Sequence, residues 1–109
     1  MKMARVILFT GQLDAMNRFY GETLGLKLVG EEKGWREFAA GGACIALHSG
    51  PASPGRKGPK IVFYAKDVAA ERAKRVAKGA RFGKVRVWDT LQICDGKDPD
   101  GNPIQLSNR

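Results

Sequence analysis

The sequence predicts an α+β protein made of two βαβββ units, and three observations lead there. The segments 4–48 and 60–107 read as two faded copies of one unit: Val6-Ile7-Leu8-Phe9 answers to Ile61-Val62-Phe63-Tyr64 at an offset of 55, and Ile45-Ala46-Leu47 answers to Ile104-Gln105-Leu106. Each copy opens on β-branched and apolar residues and then passes to a 3.6-residue period, the signature of a strand followed by a helix. Between the copies, residues 49–59 hold three Gly and three Pro and can continue neither helix nor sheet. A duplication of this kind predicts two equivalent half-sheets around a shared cavity, within one domain spanning residues 1–109.

Taken in order, a strand is expected over 4–10, ended by Gly11. A helix follows with Leu13, Met16, Tyr20 and Leu24 on one face. Gly25 falls where a left-handed residue closes a helix, and three short strands, 27–32, 35–40 and 43–48, are split by Gly-containing turns. After the linker come a strand over 60–66, a helix over 68–78 stopped by Gly79, and strands near 83–88, 91–94 and 103–107. Asp98-Pro99-Asp100-Gly101 is a turn by composition, because Pro presets one dihedral and Gly accepts a positive φ.

Composition narrows the function classes. The chain has 109 residues, 43% hydrophobic and 28% charged, with no apolar run of the roughly 18 residues that would cross a bilayer. The N-terminus enters a strand pattern without a secretory leader, so a cytoplasmic location is the expectation, and a chain this short makes a homodimer the default. Cys44 and Cys94 are too isolated for a zinc set and read as small buried hydrophobes. Net charge is +8, and residues 55–109 hold 13 Lys/Arg against 6 Asp/Glu, while residues 1–54 hold 6 against 5. Four of the basic residues, Arg72, Lys74, Arg75 and Lys78, lie on one helix, but no nucleic-acid motif accompanies them. A solvated helix face is the expected reading, with neither membrane nor nucleic acid as partner.

Two segments carry a resemblance to a known family. Phe19-Tyr20-Gly21-Glu22-Thr23-Leu24-Gly25-Leu26 resembles the first-helix signature of the vicinal oxygen chelate superfamily, which groups glyoxalase I, bleomycin resistance proteins and extradiol dioxygenases. The run Asp98 to Leu106 resembles its closing turn and last strand. The resemblance implies an eight-stranded, cup-shaped mixed sheet with, in the enzymes, four metal ligands on the concave face. Carried over onto this chain, those positions fall on Arg5, Ala46, Lys60 and Gln105. Arg cannot lose its proton to become a ligand, and of the four only Gln105 offers a plausible donor. His48 is the only histidine, so an iron site of two His and one carboxylate cannot form within one subunit. No metal, no cofactor and no catalytic residue are expected.

Alternation places Val6, Leu8, Ile45, Leu47, Ile61, Phe63, Ile104 and Leu106 under the helices, and Arg5, Ile7, Phe9, Cys44, Ala46, His48, Lys60, Val62, Tyr64 and Gln105 on the open face. Arg5 and Lys60, equivalent across the repeat, are expected either to attract an anionic ligand such as a carboxylate or phosphate or, as first residues of their strands, to extend to water at the rim. Phe9, Trp35, Phe38, Tyr64 and Trp88 could sleeve a flat apolar one, although core packing explains Phe9 and Phe38 equally well. The candidate ligand-binding set is therefore Arg5, Phe9, Trp35, Ala46, His48, Lys60, Tyr64, Trp88 and Gln105. The leading expectation is a metal-free protein that sequesters a small anionic or aromatic molecule; cationic bleomycin-type drugs would be repelled. Two alternatives stand beside it: a glyoxalase-type lyase or isomerase using Glu37, His48 or Asp95, and a basic module that binds nucleic acid.

Overall fold

The structure is a computed structural model that describes residues 1–54 and 59–109. The chain forms two compact units, Met1–Ser53 and Pro54–Arg109. In the first, β1 (Arg5–Thr10) leads into α1 (Leu13–Arg18), which continues as a π-helical turn over Phe19–Thr23, and β2 (Lys27–Glu32), β3 (Trp35–Ala39) and β4 (Cys44–Ser49) follow. The sheet order is β1-β4-β3-β2, with β1 parallel to β4 and the other pairs antiparallel.

The apolar stripe read from the sequence packs this helix onto the sheet. Met16 and Tyr20 are fully buried, Leu24 and Phe19 nearly so, and they meet Phe38, Ile45 and Leu47 from the strands. Each such side chain contributes about 1.5–3 kcal/mol by leaving water. Gly21 is required by a close approach, since a Cβ there would lie 3.1 Å from the Phe38 ring. Gly25 takes φ +73°, the left-handed residue that ends the helix while the Leu26 N–H reaches back to the Tyr20 carbonyl. Val6 departs from the expected pattern. It is 37% exposed rather than buried under the helix, because α1 packs over β4 and leaves the edge strand β1 partly uncovered.

The second unit contains β5 (Ile61–Tyr64), α2 (Val68–Val76), β6 (Arg81–Phe82), β7 (Arg86–Trp88), β8 (Leu91–Lys97) and β9 (Pro103–Ser107). Its order is β5-β9-β8-β6, with β7 also paired to β8. The strand expected near 83–88 is found as β7 over Arg86–Trp88, and β6 over Arg81–Phe82 is a separate short strand ahead of it. Arg72 of α2 donates to the carbonyls of Phe82 and Gly83 at 3.1 and 2.7 Å, while Phe82 stays paired with Gly96 and the Gly83 N–H donates to the Asp95 carbonyl. Asp67 caps α2 by accepting from the Ala70 N–H at 3.0 Å. The expected turn is organised by buried Asp98: Oδ1 accepts from the N–H groups of Asp100 and Asn102, Oδ2 accepts from the Asn102 side chain, and Gly101 sits at φ +89°. Val68, Cys94, Ile104 and Leu106 form the buried face. Ser49, expected to open the linker, ends β4 instead; residues 55–58 of that segment, and with them the question of a lid, lie outside the described residues.

Candidate functional site

In the first unit, strand register decides which side chains share the face opposite the helix. β1 and β3 flank β4, so Phe9 and Trp35 both stand opposite His48, Ile7 and Glu37 both stand opposite Ala46, and Arg5 stands opposite Cys44. The first row is aromatic. The Phe9 and His48 rings lie 5.4 Å apart and tilted, and Trp35 meets His48 edge-on at 5.7 Å. Phe9 is 52% exposed, His48 is exposed and Trp35 is half-buried, so the row is an accessible shelf. Gly50 lets the chain pass close to the Phe9 ring, where a Cβ would come within 3.2 Å.

Next to the shelf, Arg5 reaches across β4 and donates from Nε to Glu37 Oε1 at 3.1 Å. This changes the electrostatics expected of Arg5, whose charge is neutralised by a carboxylate that is itself only 16% exposed. Ala46 lies beneath the pair with no accessible surface. It is a floor rather than a ligand contact, because its larger neighbours cover its single methyl. Burial pushes the Cys44 thiol above its ordinary value, and a hydrogen bond to Glu37 adds to the effect.

The second unit repeats the arrangement with different residues. Asp95 on β8 stands opposite Gln105 on β9, as Glu37 stands opposite Ala46. Lys60 Nζ and Gln105 Nε2 both donate to Asp95 Oδ1 at 2.8 Å, and the Arg86 guanidinium donates to Oδ2. The Lys60 hydrogen bond holds the Asp95 carboxyl below the usual carboxylate range against the opposing effect of burial, assisted by Gln105 and by the charges of Lys60 and Arg86. Two cations against one carboxylate leave this cluster at +1. Arg86 also lies over the Trp88 ring at 5.3 Å, and an open pocket of about 460 Å³ is lined by Gly83, Lys84, Val85, Arg86 and Asp95.

Of the nine candidate residues, the structure brings Phe9, Trp35 and His48 into one row with Arg5 beside it, and Lys60 and Gln105 onto one carboxylate. Tyr64 is 70% exposed and pairs with Ser107 at the end of β5; Trp88 is 53% exposed and stands apart on β7 under Arg86. Sequence reasoning treated Glu37 and Asp95 only as alternative ligands and passed over Arg86. Alternation from Trp35 puts Glu37 on the shelf side, but its pairing with Arg5 depends on strand order. The basic helix is partly spent on the fold, since Arg72 holds two carbonyls and Arg75 pairs with Glu71.

The four positions that correspond to family metal ligands do not suit a metal. Arg5 and Lys60 are cations, Ala46 has no donor atom, and Gln105 directs its amide N–H to Asp95. Among the described residues no group of three or more His, Cys, Asp and Glu is placed to hold an ion.

Comparison with solved structures finds this fold repeatedly. A lactoylglutathione lyase from Agrobacterium tumefaciens is 21% identical, with a TM-score of 0.76 and 96% of this chain and 91% of that chain covered. TnmS3, an antibiotic binding protein from Streptomyces sp. CB03234, is 22% identical, with a TM-score of 0.82 and 97% and 93% covered. A glyoxalase/bleomycin resistance protein/dioxygenase from Nocardioides is 17% identical, with a TM-score of 0.81 and 98% and 82% covered. At these identities the likeness establishes the fold alone. No curated protein matches. The glyoxalase family model matches residues 2–106, nearly the whole length, and with the two sheets just described the chain belongs to the glyoxalase/bleomycin resistance protein/dioxygenase superfamily.

Proposed function

We propose that this protein binds a small aromatic molecule stoichiometrically on the open face of its first unit, without a metal in the binding step. The observation that carries the reading is the accessible row of Phe9, His48 and Trp35. Aromatic side chains left half-exposed in a row lose hydration only when a flat apolar partner covers them, and offset or edge-on ring pairs add about 0.5–1.5 kcal/mol each beyond area burial. A chain of the same fold named as an antibiotic binding protein is consistent with a sequestering role. The anionic part of the sequence expectation is narrowed. At Arg5 the Glu37 carboxylate already supplies the counter-charge, so an acidic ligand group gains little there. Of the two candidate cation positions, Lys60 in the +1 cluster around Asp95 is the one that retains attraction for anions. The proposal includes a homodimer, supported by exposed Leu28, Val29 and Val87, with sedimentation equilibrium as its check.

The test is an NMR and calorimetric titration with 2-naphthol and 2-methoxynaphthalene as two-ring probes, with and without a chelator. The reading expects shifts at residues 9, 35 and 48, an affinity untouched by the chelator, and about 2- to 13-fold weaker binding in Trp35→Ala or Phe9→Ala, the factor equivalent to one aromatic pair. Failure of both probes to perturb those residues rejects it.

A further inference from the structure

The shelf contains one polar group on which the geometry places a proton at a named atom. His48 Nδ1 lies 2.8 Å from the Ser49 carbonyl oxygen, its only hydrogen bond among the described residues. A carbonyl oxygen only accepts, so Nδ1 carries the proton. In the neutral ring Nε2 is then a bare lone-pair acceptor. The backbone holds this arrangement in place: the Ser49 N–H donates to the Gly34 carbonyl and the Gly50 N–H to the Thr10 carbonyl, tying the end of β4 to its neighbours on both sides. Phe9 and Trp35 flank the ring and restrict its rotation.

We infer that His48 Nε2 is the specificity-determining contact of the shelf, and that the ligand class is an aromatic hydrogen-bond donor, a phenol or an aromatic N–H compound. The inference rests on the reading of the shelf as an aromatic binding site and adds the polar half of the ligand. Three features point to a donor. Glu37, on the same face, is engaged by Arg5. The nearest cation, Arg5, is paired in turn, so neither charge selects a charged ligand. An acceptor set between two apolar rings rewards a matching donor and penalises a ligand that covers it without one, because the nitrogen then loses its water and gains nothing.

The experiment compares 2-naphthol with its methyl ether, 2-methoxynaphthalene, which keeps the two rings and loses the donor. The wild-type protein is expected to prefer 2-naphthol by about 2- to 13-fold, the range of one net hydrogen bond. His48→Phe keeps a ring in the row and removes the acceptor, so the ratio of the two affinities should fall to about 1, in part because the methyl ether no longer covers an unmatched nitrogen. His48→Gln, with a side-chain carbonyl, should restore part of the preference. Because His48 is exposed, both variants should keep the wild-type circular dichroism spectrum. Equal affinity for both probes in the wild type, or a preference that survives in His48→Phe, overturns the inference while leaving aromatic binding intact. Binding of neither probe removes both readings.

Discussion

Asp95→Asn isolates the electrostatics of the second unit with almost no change of shape. Asp95 Oδ1 accepts from Lys60 and Gln105, so the Asn carbonyl keeps that side and the new NH₂ faces the Arg86 guanidinium, donor against donor. The side chains of Lys60, Arg86 and Asp95 are 40%, 52% and 38% exposed, so each lost ion pair is worth the screened value of about 0.2–1 kcal/mol. Two pairs make about 1 kcal/mol, which lowers Tm by about 4–5 °C in a chain of this size. The pH dependence has a definite sign. The folded pKa of Asp95 is depressed below 3.8. Its stabilisation is therefore fully present above the unfolded value, at roughly pH 4 and higher, and is lost as pH falls through the folded value. Urea unfolding of wild type and variant at pH 7, 6 and 3 should show a constant gap between the first two and a smaller one at the third, and 0.5 M salt should shrink it at pH 7. An equal gap at pH 3 and 7, or none at either, would refute the argument.

Gly96→Ala places a Cβ 2.6 Å from Phe82 Cδ1 and 2.7 Å from the Arg81 carbonyl, and backbone cannot yield as a side chain can. The expected loss is about 1–3 kcal/mol, with hydrogen exchange accelerating in β6 before the rest of the sheet. Asp67→Ala removes the α2 cap and should lower stability by about 1 kcal/mol in urea titrations at pH 7.

What could be read from the sequence was whatever repeats along one element. The stripe Met16, Tyr20, Leu24 and the alternation of Ile45, Leu47, Ile104 and Leu106 are properties of single segments, and each is buried as read. Arg5 and Lys60 stand, from the sequence, as cations free to meet an anion or water, whereas the structure pairs each with a carboxylate. Their counter-ions stand 32 and 35 residues away, on β3 and β8, and become neighbours only through strand order. The hold of Arg72 on the Phe82 and Gly83 carbonyls was equally hidden, because it joins α2 to β6 across ten and eleven positions. Ala46 shows the converse limit: alternation gives its face correctly, yet burial depends on the size of the side chains standing opposite it.

The same comparison of equivalent positions explains why the two units are suited to different ligands. Each sets a cation at the start of its first strand against a carboxylate two strands away, but the position between them is Ala46 in one unit and Gln105 in the other. Gln105 spends its amide on the carboxylate and stands above the strand; Ala46 is fully buried, and Ile7 and Glu37 flank it beside the aromatic row. Ala46→Gln therefore converts the first unit to the pattern of the second. The added side chain has to displace Ile7 or the Arg5–Glu37 pair, at a cost of about 1–3 kcal/mol for overpacking. If the shelf is the binding site, the variant should remain folded by circular dichroism while its affinity for 2-naphthol falls at least as far as in Trp35→Ala. A folded Ala46→Gln that binds 2-naphthol like wild type would mean that the ligand does not depend on the placement of Ile7 and the Arg5–Glu37 pair beside the row, and that part of the face would drop out of the site.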